Sequence, residues 1–287
     1  MSDTRIPDYR TDPFFGLDDR WIETAPGELT HYHELGEGAP VLFLHGSGTG
    51  VTAAANWWLN LPELSKVGRC VAIDSIGYGQ TVVADGTVYG IREWVRHAVR
   101  VLDALGIEKT WIVGNSLGGW VALQFAIDFP DRLLGIVSMG TGGAQLTGAL
   151  AQHANPTLTE AGIRNTLEKF VFDKSLVTDE LVTLRYRSAL NDTASDRLAQ
   201  VVAARDRDRH ELPLDFDVLA QLTVPVLLVH GVQDVVIPVS RTWDLLTVIP
   251  EADAHIFSRC GHWSQVERAE DFNAVVTRFL TSHGAGR

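Results

Sequence analysis

Cysteine is nearly absent: Cys70 and Cys260 are the only two in 287 residues, too few for the disulfide framework of a small secreted scaffold. Long hydrophobic runs are missing as well. The longest apolar stretches, at 41–44 and 224–229, are strand-sized, far short of the roughly 20 residues that a helix needs to cross a bilayer. The opening MSDTRIPDYR has no apolar h-region, so no secretory leader is expected. Basic residues are outnumbered, with 24 Lys and Arg against 36 Asp and Glu and a net charge of −12. That balance leaves no basic footprint for nucleic acid or an anionic membrane surface. Internal repeats, low-complexity tracts, H-E-x-x-H and clustered Cys/His are all lacking. His31 and His33 alternate along one strand-like run and can share a face, but with no further ligand in pattern they are expected on a solvated strand face, with no metal. These absences leave a cytoplasmic globular protein with free thiols and no membrane or nucleic-acid partner.

What is present is an alternation of strands and helices. Segments 21–23 and 29–35 read as an antiparallel pair around Pro26-Gly27. Continuous apolar runs at 41–44 (VLFL), 70–73 (CVAI), 110–113 (TWIV), 133–139 and 224–229 (VPVLLV) suit parallel strands buried on both faces. Helical patterns fall at 91–105, 117–128, 240–248 and 270–280. This rhythm predicts an α/β fold, a mostly parallel central sheet with helices on both faces. It breaks between 144 and 212, where the amphipathic stretches 160–172 and 178–190 replace strands. The expected organisation is therefore a core in two parts, 1–143 and 213–287, with a helical lid at 144–212 over the strand ends, where open α/β sheets bind ligands. Two ordinary crossover helices are the alternative.

Gly114-Asn115-Ser116-Leu117-Gly118 matches G-x-S-x-G, with TWIV running in and WVALQFAIDF running out. A strand–sharp turn–helix junction strains the serine, lifts Oγ clear of the sheet and sets it over a helix N-terminus that favours negative charge. A serine hydroxyl needs a base. His262 follows a strand-like run at 254–257, and Asp234 follows the run at 224–229. The order Ser…Asp…His is that of the α/β-hydrolase arrangement, with Ser116 as nucleophile, His262 as base and Asp234 as its orienter. His45-Gly46-Ser47-Gly48-Thr49-Gly50 supplies a second glycine-rich turn. In the hydrolase reading its Ser47 amide joins that of Leu117 in an oxyanion hole. A dinucleotide fingerprint is the competing reading, with Gly46, Gly48 and Asp74 in place, but Val51 stands where the third glycine belongs.

With those residues in view, the chain resembles the meta-cleavage product hydrolases, carbon–carbon bond hydrolases of the α/β-hydrolase superfamily that act in aromatic-compound breakdown. The likeness rests on HGSGTG with Asn56-Trp57, on DSIGYGQT, on GNSLGG, on FVFDKSLVTDELVTLRYRSAL and on the closing FSRCGHWSQVERAEDF. It implies a small anionic dienoate as substrate, no cofactor and a homo-oligomer. It also implies that Arg185 binds the substrate carboxylate and that Asn56, Asn115, Trp263 and Gly46 line the dienoate end. Read from the residues alone, Arg185 could belong to a charged helix face, Asn56 could cap a helix, Asn115 could fill the elbow and Trp263 could be packing. The family loop usually reads HGSGPG or HGGGPG, and Thr49 departs from it. The implied reaction is hydrolysis of a 2-hydroxy-6-oxo-hexa-2,4-dienoate to 2-hydroxypentadienoate and a carboxylic acid. A carboxylesterase or lactonase would use the same triad, and the sequence does not exclude a route in which Ser116 activates water instead.

Overall fold

The computed structural model describes residues 11–143, 158–193 and 197–285. Eight strands form one sheet: β1 (Arg20–Ala25), β2 (Glu28–Leu35), β3 (Pro40–Leu44), β4 (Arg69–Ile73), β5 (Thr110–Asn115), β6 (Leu133–Met139), β7 (Val226–Gly231) and β8 (Ala252–Phe257). Their order is β1-β2-β4-β3-β5-β6-β7-β8. Pairing is antiparallel from β1 to β2 and from β2 to β4, and parallel from there on. The helices are α1 (Ala53–Trp57), α2 (Leu61–Leu64), α3 (Ile91–Ala104), α4 (Leu117–Asp128), α5 (Glu160–Phe170), α6 (Asp179–Thr193), α7 (Arg197–Glu211), α8 (Phe216–Leu219), α9 (Ser240–Val248), α10 (Ser264–Glu267) and α11 (Ala269–Ser282).

The apolar runs are continuous because both sheet faces are covered. Leu42, Leu44, Ile112, Ile136 and Leu228 pack with Ile91 and Trp94 of α3, Trp120 and Phe125 of α4 and Leu245 of α9. Their neighbours Val41, Phe43, Val113, Val137 and Val229 point the other way, onto Trp57, Leu61 and the Phe272, Val276 and Phe279 stripe of α11. The parallel strands therefore end on one edge, and the loops after β3, β5, β7 and β8 meet there.

Between β6 and β7 the described chain runs through α5, α6, α7 and α8. Ile163, Leu167, Leu181 and Val182 of α5 and α6 form a cluster of their own with Trp263 and Val266. The first part of the anticipated lid, 144–157, lies outside the described residues. Three features depart from the sequence reading. The strand expected at 224–229 is Val226–Gly231, since Pro225 has no N–H to give and contributes only its carbonyl, to Ile136. Helix α1 is too short to show a period, and α7 hides its period among alternating Arg and Asp.

The third concerns His31 and His33, expected on a solvated strand face: both are fully buried. β2 lies between β1 and β4, and the segment before β1 covers it. His31 bonds Asp74 through Nδ1 (2.7 Å) and Asp19 through Nε2 (2.9 Å), and Nδ1 of His33 donates to the Asp18 carbonyl (2.8 Å). Asp74 also accepts from the amides of Ala53 (2.6 Å) and Gln80 (2.9 Å), so it anchors the start of α1 beside the glycine-rich turn.

Burial alone would strip the proton from His31. The charge of Asp74 and the bonds to both carboxylates outweigh it and raise the pKa to about 9. Burial would likewise protonate Asp19, but the bonds from His31 and Thr11 hold it down at about 2. An imidazolium in the fold against an ordinary histidine of pKa about 6.5 in the unfolded chain gives stability that is complete below that value and is lost as pH rises through about 9. Urea midpoints between pH 6 and 10 should fall in the wild type and stay flatter in His31→Gln. Parallel curves would show that His31 folds uncharged.

Candidate active site

Ser116 sits between β5 and α4 at φ 53°, ψ −108°, one of two non-glycine residues with positive φ among those described. Its neighbours make the turn sterically possible. A Cβ on Gly114 would lie 2.3 Å from the Gly118 carbonyl oxygen, and one on Gly118 would lie 2.1 Å from that of Leu44. Strand and helix thus touch backbone to backbone on either side of the serine. The Ser116 amide donates to the Met139 carbonyl (2.8 Å), and its carbonyl accepts from Gly142 (2.9 Å) and Trp120 (3.0 Å).

His262, in the turn after β8, donates Nδ1–H to Oδ2 of Asp234 at 2.7 Å. Both residues are buried. Oδ1 of Asp234 accepts the amides of Val236 (2.7 Å) and Ile237 (2.9 Å). Burial by itself would favour the neutral acid; the charge that His262 can carry and the bonds from His230 and His262 outweigh it and keep Asp234 ionised, well below the usual carboxylate range. The orienting bond leaves Nε2 of His262 for the serine. Ser116 and His262 line one small cavity with Gly46, Ser47, Val51, Asn56, Asn115, Phe170, Arg185 and Trp263. Among the described residues no direct Oγ–Nε2 bond is made; such bonds commonly tighten only around substrate.

The loop after β3 is held from behind. Nε2 of His45 accepts from the Ser75 amide (3.0 Å), which leaves Nδ1–H to donate to the Gly46 carbonyl (2.6 Å). The amides of Ser47 and of Leu117, the first residue of α4, have no protein partner among the described residues.

The polar lining meets in one place. Arg185 on α6 is 2% exposed, so the charged-face alternative fails. Its Nη2 donates to the Thr49 carbonyl (3.2 Å), and its guanidinium lies over the Trp263 ring at 5.6 Å. Asn56 lies within α1, whose cap is Thr52, so it is not a helix cap. Both amide atoms of Asn56 and Nδ2 of Asn115 are buried without a partner among the described residues, an arrangement that suits a polar ligand. Trp263 serves packing as well as lining, 5.3 Å from Phe170 between ring centroids.

Three contributors had no assigned role in the sequence reading. Phe170, at the end of α5, packs on the His262 ring at 5.6 Å, an aromatic that only the tertiary fold brings near. Arg205 of α7 donates to Ser47 Oγ at 3.2 Å, hidden in a run of alternating charges. His230 bonds Asp234 at 3.1 Å; its position four residues before the aspartate was the available signal. Asp74 is fully committed to His31, Ala53 and Gln80, which removes the acidic residue of the dinucleotide reading. Among the described residues, Asp19, His31 and His33 are the one grouping with a metal-ligand composition. Both ring nitrogens of His31 there face carboxylates, the pattern of an imidazolium with both N–H groups engaged.

Residues 39–269 match the family model described as alpha/beta hydrolase fold. Over 261 residues the chain is 38% identical to a 2-hydroxy-6-oxo-2,4-heptadienoate hydrolase of Pseudomonas putida, covering 90% of this chain and 95% of that protein. It is 39% identical over 266 residues to a 2-hydroxymuconate semialdehyde hydrolase of a Pseudomonas species, covering 91% and 93%. A meta-cleavage product hydrolase from Pseudomonas fluorescens superposes with a TM-score of 0.84 at 36% identity, over 93% of this chain and 98% of that one. Among the described residues no helix is long and apolar enough to cross a membrane.

An active-site-directed fluorophosphonate should add one label per chain, on Ser116, and Ser116→Ala should remove it. His262→Ala should slow labelling by roughly 10²-fold or more, the order of loss for removing a general base. Labelling of another serine, or unchanged labelling in Ser116→Ala, would contradict the site.

Proposed function

Since the chain belongs to the α/β-hydrolase family and, within it, to the meta-cleavage product hydrolases, we propose that Ser116, His262 and Asp234 carry out its reaction. That reaction is hydrolysis of the C5–C6 bond of a 2-hydroxy-6-oxo-hexa-2,4-dienoate, giving 2-hydroxypentadienoate and a carboxylic acid. The observation that carries the assignment is the coincidence, in one cavity, of Ser116 and His262 with a buried arginine and two asparagines offering unpartnered amide atoms. A plain esterase needs the first pair and has no use for the rest.

The chemistry accounts for them. A carbon leaving group needs an electron sink. Moving the proton of the 2-hydroxyl to C5 makes the 2,6-diketone, from which C5 can leave as a stabilised dienolate; His262 is the group placed to move protons there. Ser116 Oγ attacks C6 and passes its proton to His262. The amides of Ser47 and Leu117 receive the oxyanion, each such donor being worth about 3–4 kcal/mol in the transition state. Collapse breaks C5–C6, with the electron pair going to the dienolate. Protonated His262 gives its proton to the departing dienolate; it then takes a proton from the water that attacks the acyl-serine and returns it to Ser116 Oγ as the acid departs. Asn56, Asn115, Gly46 and Trp263 frame the dienoate end.

Arg185 receives the carboxylate. A chain of net charge −12 repels an anionic substrate at long range, so attraction has to be local, inside the site, where a lower dielectric strengthens the pair. The planar guanidinium can meet a carboxylate with two parallel hydrogen bonds, and Thr49 and Trp263 fix its plane. Arg185→Gln should lower kcat/KM for the dienoate at least about tenfold while leaving hydrolysis of a neutral aryl ester nearly unchanged. Equal losses on both substrates would make Arg185 structural, and no loss on either would remove it from the site.

A further inference from the structure

The carboxylate of Asp234 serves two histidines. His262 reaches Oδ2 from the turn after β8 at 2.7 Å, and His230, the penultimate residue of β7, reaches the same oxygen with Nε2 at 3.1 Å. The hydrogen-bond inventory fixes which nitrogen of His230 carries the proton. Nε2 also lies 3.0 Å from the Ile237 carbonyl. A carboxylate and a carbonyl can only accept, so Nε2 bears the hydrogen and is shared between them. Nδ1 lies 2.7 Å from Oγ1 of Thr242 on α9, and a hydroxyl can donate to it. A neutral ring in the Nε2–H form therefore satisfies every contact of a side chain that is fully buried. Among the described residues, no charged group besides Asp234 and, through it, His262 meets this ring. α9 offers the uncharged Thr242, and the neighbouring Arg241 turns its guanidinium onto Phe216 at 5.5 Å.

We propose that His230 is a positioning residue of the triad: by donating to the oxygen that His262 also uses, it fixes the carboxylate and limits how strongly Asp234 holds the His262 proton. The inference rests on the triad proposed above. With the Val236 and Ile237 amides on Oδ1, the carboxylate accepts four hydrogen bonds and is locked at both oxygens. A second donor stabilises the charge on Oδ2 and so reduces its pull on the His262 proton. His262 must take a proton from Ser116 and then give it up, so an aspartate that bound the imidazolium too tightly would slow the return. Without His230, the freed lone pair on Oδ2 would draw His262 closer and stabilise its protonated form.

The test pairs His230→Leu, which removes the donor, with His230→Gln, whose side-chain amide can reach the same oxygen. His230→Leu should move the acid limb of the kcat/KM–pH profile upward by at least about half a unit, since a hydrogen bond to a charged group shifts titrations on this scale. His230→Gln should keep the wild-type limb. Identical profiles for wild type and His230→Leu, or equal shifts in both variants, would overturn the proposal in favour of simple packing. Should His230→Leu fail to fold, the wild type with ¹⁵N-labelled histidine decides: at neutral pH, His230 should give the signals of a neutral ring protonated at Nε2. A ring protonated at Nδ1, or at both nitrogens, would overturn it. Loss of labelling in Ser116→Ala tests the triad separately, so the two can fail independently.

Discussion

The close approach of strand β5 and helix α4 on either side of Ser116 governs the rest of the site. A non-glycine residue at φ 53° costs on the order of 1–3 kcal/mol and persists only where the surroundings over-determine it. Here the missing side chains of Gly114 and Gly118 let backbone meet backbone, and the Met139 carbonyl and Gly142 amide clamp the serine's own peptide groups. The clamp places Oγ at the edge where every parallel strand ends. The loops after β3, β7 and β8 then need only modest lengths to bring an amide-lined turn, an aspartate and a histidine to it.

Electrostatics is layered around that geometry. Asp234 stays ionised despite burial because two backbone amides and two imidazoles meet it. Arg185 brings the opposite charge into a chain that is acidic overall. Farther back, the His31–Asp74–Asp19 array fixes the start of α1, and with it Asn56, through the amide of Ala53. A surface pair of this kind would be worth little; here His31 and Asp74 are buried and Asp19 partly so, and their protonation is tied to folding. The site therefore depends on charges that lie beneath it as well as on those that line it.

Much of this was legible in the chain. The glycines around Ser116 and the order of Ser116, Asp234 and His262 encode strand ends, because Ser116 and Asp234 follow apolar runs of buried strands and His262 follows the strand-like run of the edge strand β8. Burial was harder to read. His31 and His33 alternate as a solvated face would, and nothing local reveals that residues before β1 fold over them. Arg185 looks like one charge among several on α6 until the loop carbonyl of Thr49 and the ring of Trp263 are beside it. Phe170, Arg205 and His230 act through contacts spanning 92, 158 and 4 residues, from Phe170 to His262, Arg205 to Ser47 and His230 to Asp234. The first two leave no local pattern, and the third lies near the end of a buried strand, just before a turn whose aspartate takes the attention.

Binding and turnover of the yellow dienolate by Ser116→Ala test the account most directly, because the substitution deletes Oγ and leaves the amides, Arg185 and the asparagines in place. Spectrophotometric titration should show the dienoate bound about as tightly as by the wild type, with C–C cleavage slower by roughly 10³-fold or more. A variant that cleaves the dienoate at a near-normal rate would contradict the central claim that Ser116 performs the chemistry.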